Sequence, residues 1–194
     1  MPGTVAAERT LSELRAEFGR TRLLSMPIAG AIAWSAAAVF GALLTDVEAQ
    51  SYALFLCMPA VFPIAMLVSR ITGEGTFDSQ HQNELDQLFM LGLLMASLVW
   101  GIAIPFWLIE PTSLPLSGGI LAGLMWVPLS WMLQHWVGIF HAAARTVLVV
   151  ASWYAFPEQR FVVVPVVVVM VYIVSIAALA TRPLPATAGN QLRR

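Results

Sequence analysis

Residues 131–145, WMLQHWVGIFHAAAR, sit inside a run (residues 114–157) that has no acidic residue and only three basic side chains, His135, His141 and Arg145. As one helix, that run of about 44 residues would reach roughly 66 Å at 1.5 Å per residue, twice the thickness of a bilayer's hydrocarbon. It must fold back. Gln134, His135, Gly138 and His141 supply the polar break at which backbone can leave lipid. How this stretch is read therefore sets the number of spans.

With the turn placed there, the chain divides into six apolar segments, residues 23–44, 52–68, 88–109, 116–134, 139–156 and 161–180. Composition agrees: 59% of the 194 residues are hydrophobic and 11% charged, with a mean hydropathy of +0.79. Soluble chains carry about 25% charged residues. The fold class read from this is all-α, a polytopic membrane bundle of six transmembrane helices. The lipid bilayer is its first partner, and a net charge of −1 without a basic patch gives nucleic acid no purchase.

Arginine placement orients the bundle. The chain has no lysine; Arg9, Arg15, Arg20 and Arg22 precede the first span, Arg70 follows the second, and Arg182, Arg193 and Arg194 follow the sixth. Arg145 opens the fifth span, and Arg160 alone falls on the other side. By the positive-inside rule both termini are cytoplasmic, in a bacterial inner membrane. Domains follow: residues 1–22 a cytoplasmic N-terminal segment, 23–181 the six-helix domain with a cytoplasmic loop at 71–87, and 182–194 a flexible cytoplasmic tail.

The N-terminal segment holds a short helix. Thr10 and Glu13 fit a capping box, and Leu11, Leu14 and Phe18 share one face, so the helix is expected to lie at the inner leaflet. The first span resembles a signal peptide but is too long for one, which makes it an uncleaved anchor. In the loop, Gly73 and Gly75 are expected to end the second helix, and Ser79 to Gln82 to cap the third. Asp78, His81 and Glu84 recur at every third position, but a solvated acidic loop explains them without a metal. Cys57, the single cysteine, excludes an intramolecular disulfide and reads as a small apolar side chain.

Three features go beyond apolarity. Ala29, Ala33, Ala37 and Gly41 form a small-residue ridge on the first span, and Gly119 with Gly123 repeats that spacing on the fourth. Such ridges permit close helix approach, either within the bundle, the preferred reading, or across a homodimer. Prolines occur in almost every span, Pro27, Pro59, Pro63, Pro105, Pro128 and Pro165. They kink helices, shaping either a static bundle or a solute path. Finally, PIAGAIA from Pro27 and PLSGGIL from Pro115 begin the first and fourth spans alike, as an inverted repeat of three-helix halves would.

Trp34, Trp100, Trp126 and Trp131 lie deep, and with Pro128, Tyr154 and Tyr172 they form a candidate cavity lining for an apolar or cationic ligand, or else a packed core. His135, His141 and Arg145 make a candidate polar cluster at the cytoplasmic face. His141 and Arg145, spaced i, i+4, share one helix face. The favoured reading has Arg145 snorkel to the headgroups; the alternative turns it toward a polar cavity. No catalytic motif is present, no cofactor is implied, and an enzyme acting through the histidines ranks third.

The segments LSELRAEF, MPAVFPIAMLVSR and GGILAGLMWVPLSW resemble a family of small bacterial six-span membrane proteins grouped as a domain of unknown function, over residues 10–182. The resemblance implies architecture and a bacterial inner membrane, without an activity. Members tend to carry a histidine and a tyrosine where this chain has Met125 and Leu129, so any role of those side chains is absent here or taken by His135 and His141. Two functions follow from the reading as a whole. One is a small transporter or channel for an unidentified small solute, with its path between kinked helices. The other is a membrane scaffold that engages a partner through the N-terminal helix and the acidic loop.

Overall fold

A computed structural model describes residues 9–74 and 83–185. Among these residues the chain forms helices α1 (Leu11–Phe18), α2 (Ser25–Leu43), α3 (Val47–Thr72), α4 (Glu84–Leu98), α5 (Trp100–Ile109), α6 (Ser113–Leu121), α7 (Trp126–Leu133), α8 (Val137–Ala155) and α9 (Arg160–Thr181), and no strand. Six segments are long and apolar enough to cross a membrane: α2, α3, α4 with α5, α6 with α7, α8, and Pro157–Thr181 around α9. All six expected spans are present. Polar caps carry several beyond the apolar stretch: Ala49 N–H donates to the Asp46 carboxylate at 2.8 Å ahead of α3, and Leu85 N–H to the Asn83 side chain at 2.9 Å ahead of α4.

Spans 3 and 4 are each two helices in line. Chain reversal between spans 4 and 5 falls at residues 134–136, as the polar stretch requires. Gln134 adopts left-handed backbone with φ 49°, and Ser130 Oγ closes the corner by donating to the His135 carbonyl and accepting from Ile139 N–H, both at 2.7 Å. Gly138 lets α8 cross α7 closely, since a Cβ there would strike the Trp126 carbonyl.

α2 packs along α3 and α9, α9 along α8, and α8 against α6 and α7. Ala29, Ala33, Ala37 and Gly41 are buried inside this bundle, and a Cβ on Gly41 would run into the Phe161 carbonyl of α9. The first ridge is thus covered by the chain's own helices.

α1 does have its capping box at Thr10 and Glu13, and the Thr10 N–H and hydroxyl hold the exposed Glu13 carboxylate below its ordinary pKa. It does not lie free on a leaflet. Leu14 and Phe18 are buried, Phe18 meets Phe89 of α4 at 6.3 Å, and Asn83 Nδ2 donates to the Leu14 carbonyl at 2.9 Å. Leu14 and Phe18, two of the three residues of the face that would have sought lipid, are covered by the bundle's end, and Leu11 stays exposed.

The two ends of the chain are tied together at that same end. Arg182 Nη2 donates to the carbonyls of Gly19 (3.2 Å) and Thr21 (2.7 Å), while Arg22 donates to those of Ala180 and Arg182. Glu74 caps α2 from outside, its carboxylate accepting from Leu24 N–H at 2.7 Å and Ser25 N–H at 2.9 Å. Gly73 ends α3 in left-handed backbone, φ 70°. Gly75 and the expected box from Ser79 to Gln82 lie outside the described residues, as do Asp78 and His81; α4 starts behind Asn83 instead.

Candidate functional site

The fourth span breaks where small residues and proline converge. Pro128 has no N–H to return to the Leu124 carbonyl, so the turn before it tightens: Gly123 N–H bonds Ile120 O at 2.9 Å, Leu124 N–H bonds Leu121 O at 3.2 Å, and Val127 N–H takes Leu124 O at 3.1 Å. In a continuous helix Gly123 N–H would go to Gly119 O. That carbonyl is released, and the guanidinium of Arg145 takes it through Nε.

Arg145 sits mid-way along α8 and is completely buried. It does not snorkel, contrary to the favoured sequence reading. With α8 starting at Val137, the residue is about 12 Å into the helix at 1.5 Å per residue, and its side chain points inward to α6 and α9. Nη1 donates to Tyr172 Oη at 3.2 Å and faces His141 Nε2 at 3.4 Å. The guanidinium also lies 5.1 Å from the Trp34 ring and 5.5 Å from the Tyr172 ring. Gly123 makes room for its stem, because a Cβ there would fall 2.9 Å from Arg145 Cδ.

Hydrogen-bond direction fixes the tautomer of His141. Ser175 Oγ donates to the Val171 carbonyl at 2.8 Å, so it must accept from His141 Nδ1 at 2.9 Å. His141 Nε2 is then a lone pair and accepts from Arg145. The imidazole is stacked on Trp126, 3.8 Å between centroids with 9° between planes, and edge-on to Tyr172 at 4.7 Å. The result is a neutral acceptor clamped beside a cation.

One guanidinium nitrogen is left over. Arg145 Nη2 is buried with no hydrogen-bond partner among the described residues. Among the described residues the only ion pair is Arg9 with Glu17, so no carboxylate balances Arg145. A buried charge is ordinarily paired or bound to a ligand.

Beside this cluster is a cavity of about 220 Å³. α2 contributes Met26 and Trp34; α3, Met58 and Phe62; α4 and α5, Phe89, Leu93 and Trp100; the broken span, Met125, Trp126 and Leu129; and α9, Tyr172. Trp34, Trp126 and Tyr172 form one wall and simultaneously contact the Arg145–His141 pair. Two serines of the lining bond within their own helices, Ser97 on Leu93 O (3.0 Å) and Ser117 on Ser113 O (3.1 Å). Tyr172 differs. Its oxygen accepts from Arg145, which leaves its own hydrogen to donate.

The flank of the cavity lies between α3 and the α4–α5 span. These two spans meet mainly through aromatic side chains, Phe55 against Trp100 (5.4 Å) and Trp107 (5.1 Å), rather than by close backbone packing. Phe62, on this flank, is 39% exposed. This flank faces the surface that hydrocarbon would cover.

Of the residues singled out in the sequence, His141 and Arg145 come together, and Trp34, Trp100 and Trp126 line the cavity. His135 does not join them. It caps the α7–α8 corner with Nδ1 accepting from Val137 N–H at 3.3 Å, and burial, then the charge of Arg182, lower its pKa from the ordinary value. Trp131 is 49% exposed beneath Arg15, whose guanidinium lies 4.1 Å from its ring, because five residues along α7 turn it away from Trp126. Pro128 sits outside the lining and acts by breaking the helix. Tyr154 is 72% exposed.

Gly119 and Gly123 both face α8, Gly119 against Val149 and Gly123 against Arg145. Sequence reading missed Gly30 and Ser175. A Cβ on Gly30 would fall 2.5 Å from Tyr172 Oη; the only sequence signal was its place in PIAGAIA. Among the described residues no cluster of three His, Cys, Asp or Glu side chains could hold a metal.

Residues 11–182 match the model of a family described as a family of unknown function (DUF7010). The match runs from the first residue of α1 to the arginine that ties the two ends together, and it bears out the resemblance to a family of unknown function. No curated protein and no solved structure matches the chain.

Proposed function

The chain belongs to the DUF7010 family, whose function is unknown, and we propose that it is a small membrane transporter whose solute is held in the cavity beside the broken fourth span. The observation that carries this reading is the adjacency of two things: a cavity with an apolar lining, and a span interrupted at mid-membrane depth around an uncompensated arginine. Broken helices of this kind support solute sites in many transporters, where a short irregular segment can rearrange without unfolding a whole span. The lining is too apolar for a water-filled ion pore, so a carrier is favoured over a channel. A scaffold role is less well supported, because the bundle covers Leu14 and Phe18 of α1 and leaves only Leu11 of that face to a partner.

On this reading both termini are cytoplasmic in a bacterial inner membrane, supported by Arg9, Arg15, Arg20, Arg22, Arg70 and Arg182 at the termini's end against Arg160 at the other. The test is two-sided accessibility in proteoliposomes. Cys57→Ser removes the native thiol, and Ser117→Cys then places one in the cavity. A carrier exposes this cysteine to impermeant maleimides from each side in turn, with the ratio changed by solute. Labelling from neither side, together with no flux of any organic solute tried, would overturn the reading.

A further inference from the structure

We propose that the ligand of this cavity is an amphipathic anion, an apolar body bearing one carboxylate-like group, whose anionic end is received by the Tyr172 hydroxyl under the charge of Arg145. The inference rests on the cavity reading above and adds the chemistry of what enters.

Three observations converge. First, Arg145 is wholly buried, one of its nitrogens is unpartnered, and no carboxylate among the described residues neutralises it. Its other contacts are neutral acceptors, Gly119 O, Tyr172 Oη and His141 Nε2. Neutral acceptors share hydrogen bonds but leave the net charge in place, and a cation in a low-dielectric interior is stabilised most by an anion. Second, Tyr172 both lines the cavity and accepts from Arg145. A hydroxyl polarised by a cation behind it is a stronger donor in front. Tyr172 is thus the point at which the positive charge reaches a ligand, and Gly30 keeps space for its oxygen.

Third, the remainder of the wall is mostly apolar, and Ser97 and Ser117 in it are bonded within their own helices. A cavity of roughly 150 Å³ holds benzene, so one of about 220 Å³ suits a medium-length chain or a small ring. The flank between α3 and the α4–α5 span, held by side chains rather than close backbone packing, suits a molecule that travels within the leaflet.

A cationic ligand, the other candidate raised by the aromatic residues, fits poorly. The faces of Trp34 and Tyr172 already serve the Arg145 guanidinium, and a second cation would be repelled by it. The tautomer of His141 agrees: Nε2 is committed as an acceptor, and no acidic group is near that would select a positive ligand.

The experiment uses the full chain in phosphatidylcholine nanodiscs, with 10-bromodecanoate as a collisional quencher of Trp34, Trp100 and Trp126. The expected result is a saturable quenching component displaced by decanoate at concentrations at least about tenfold lower than by decanol, and not displaced by decyltrimethylammonium. Tyr172→Phe keeps the ring and removes only the hydroxyl, so it should bring the decanoate-to-decanol ratio close to one while leaving decanol binding in place. Arg145→Gln should do the same. Equal displacement by decanol and decanoate in the unmodified chain, or preference for the ammonium, would overturn the anion assignment and leave the cavity reading standing. Absence of any saturable quenching would overturn both.

Discussion

α2 and α6 begin on similar residues, PIAGAIA from Pro27 and PLSGGIL from Pro115, yet α2 runs unbroken to Leu43 while α6 stops at Leu121. Their glycines show why. In α2, Gly30 and Gly41 sit against the Tyr172 ring and the Phe161 carbonyl of α9, so absent side chains become close packing. In α6, Gly118 meets nothing within 4 Å and Gly119 meets the methyls of Val149, while Gly123, just past the end of α6, meets the stem of Arg145. α2 has no proline after Pro27; α6 is followed by Pro128, which withdraws a donor from the turn before it. Small residues permit close approach, and the helix opens where they run up to a proline; Pro59, Pro63 and Pro165, without such a run before them, sit in unbroken helices. The same opening is what gives Arg145 its carbonyl.

The contrast is broken most directly through Gly41. Gly41→Val drives a branched side chain into a backbone carbonyl that cannot rotate away, and a loss of about 3 kcal/mol or more is expected. Gly118→Ala enters open space on a helix and should change stability by no more than about 0.5 kcal/mol in either direction. Denaturant unfolding in detergent reads both. Comparable losses at the two positions would mean that the packing of α2 on α9 is no tighter than that of α6 on its neighbours.

The second test sharpens the role of proline. Pro128→Ala restores an N–H that can take the Leu124 carbonyl from Val127 N–H, so the tightened turn can relax toward α-helical pairing and Gly123 N–H can leave Ile120 O to compete with Arg145 for Gly119 O. Amide exchange at residues 123–125 should slow by about tenfold, and stability should rise by up to about 1 kcal/mol. Decanoate binding should weaken as the guanidinium loses its anchor. Unchanged exchange would assign the break to Gly118, Gly119 and Gly123 rather than to Pro128.

These features were unequally legible in the sequence. Spans could be counted because length and apolarity are properties of the chain alone, and the i, i+4 pairing of His141 with Arg145 follows from helical geometry wherever the helix lies. The direction taken by Arg145 is different. Snorkelling is favoured for an isolated helix, and the competing partners, the released Gly119 carbonyl 26 residues earlier and Tyr172 Oη 27 residues later, lie on other helices. Proximity in sequence groups His135 with His141, but His135 stands in the corner that the left-handed Gln134 opens, while His141 lies a turn into α8. Trp131 was grouped with Trp126 by depth, whereas rotation about α7 separates them. Distances along a helix were readable, and the orientation of one helix toward another was not.

The smallest expected effect compares how the ends of the two spans are held. α2 is capped by a carboxylate, Glu74, on two backbone donors. The end of α7 is held by neutral groups, Ser130 and an imidazole whose Nδ1 accepts from Val137 N–H. Burial and Arg182 lower the His135 pKa, so the folded chain binds this proton less readily than the unfolded chain does. Stability from this corner is therefore complete above the ordinary histidine pKa of about 6.5, and it declines as pH falls below that value, where the unfolded state takes up the proton first. Protonating Nδ1 also turns the acceptor into a second donor facing Val137 N–H. Because the ring is only partly covered, a fall in Tm of roughly 1 °C between neutral and mildly acidic pH is expected, and His135→Gln should remove that slope while leaving decanoate binding unchanged. A slope that survives His135→Gln would move the pH sensitivity away from this corner, and a loss of decanoate binding in that variant would join the α7 end to the cavity that the structure keeps apart from it.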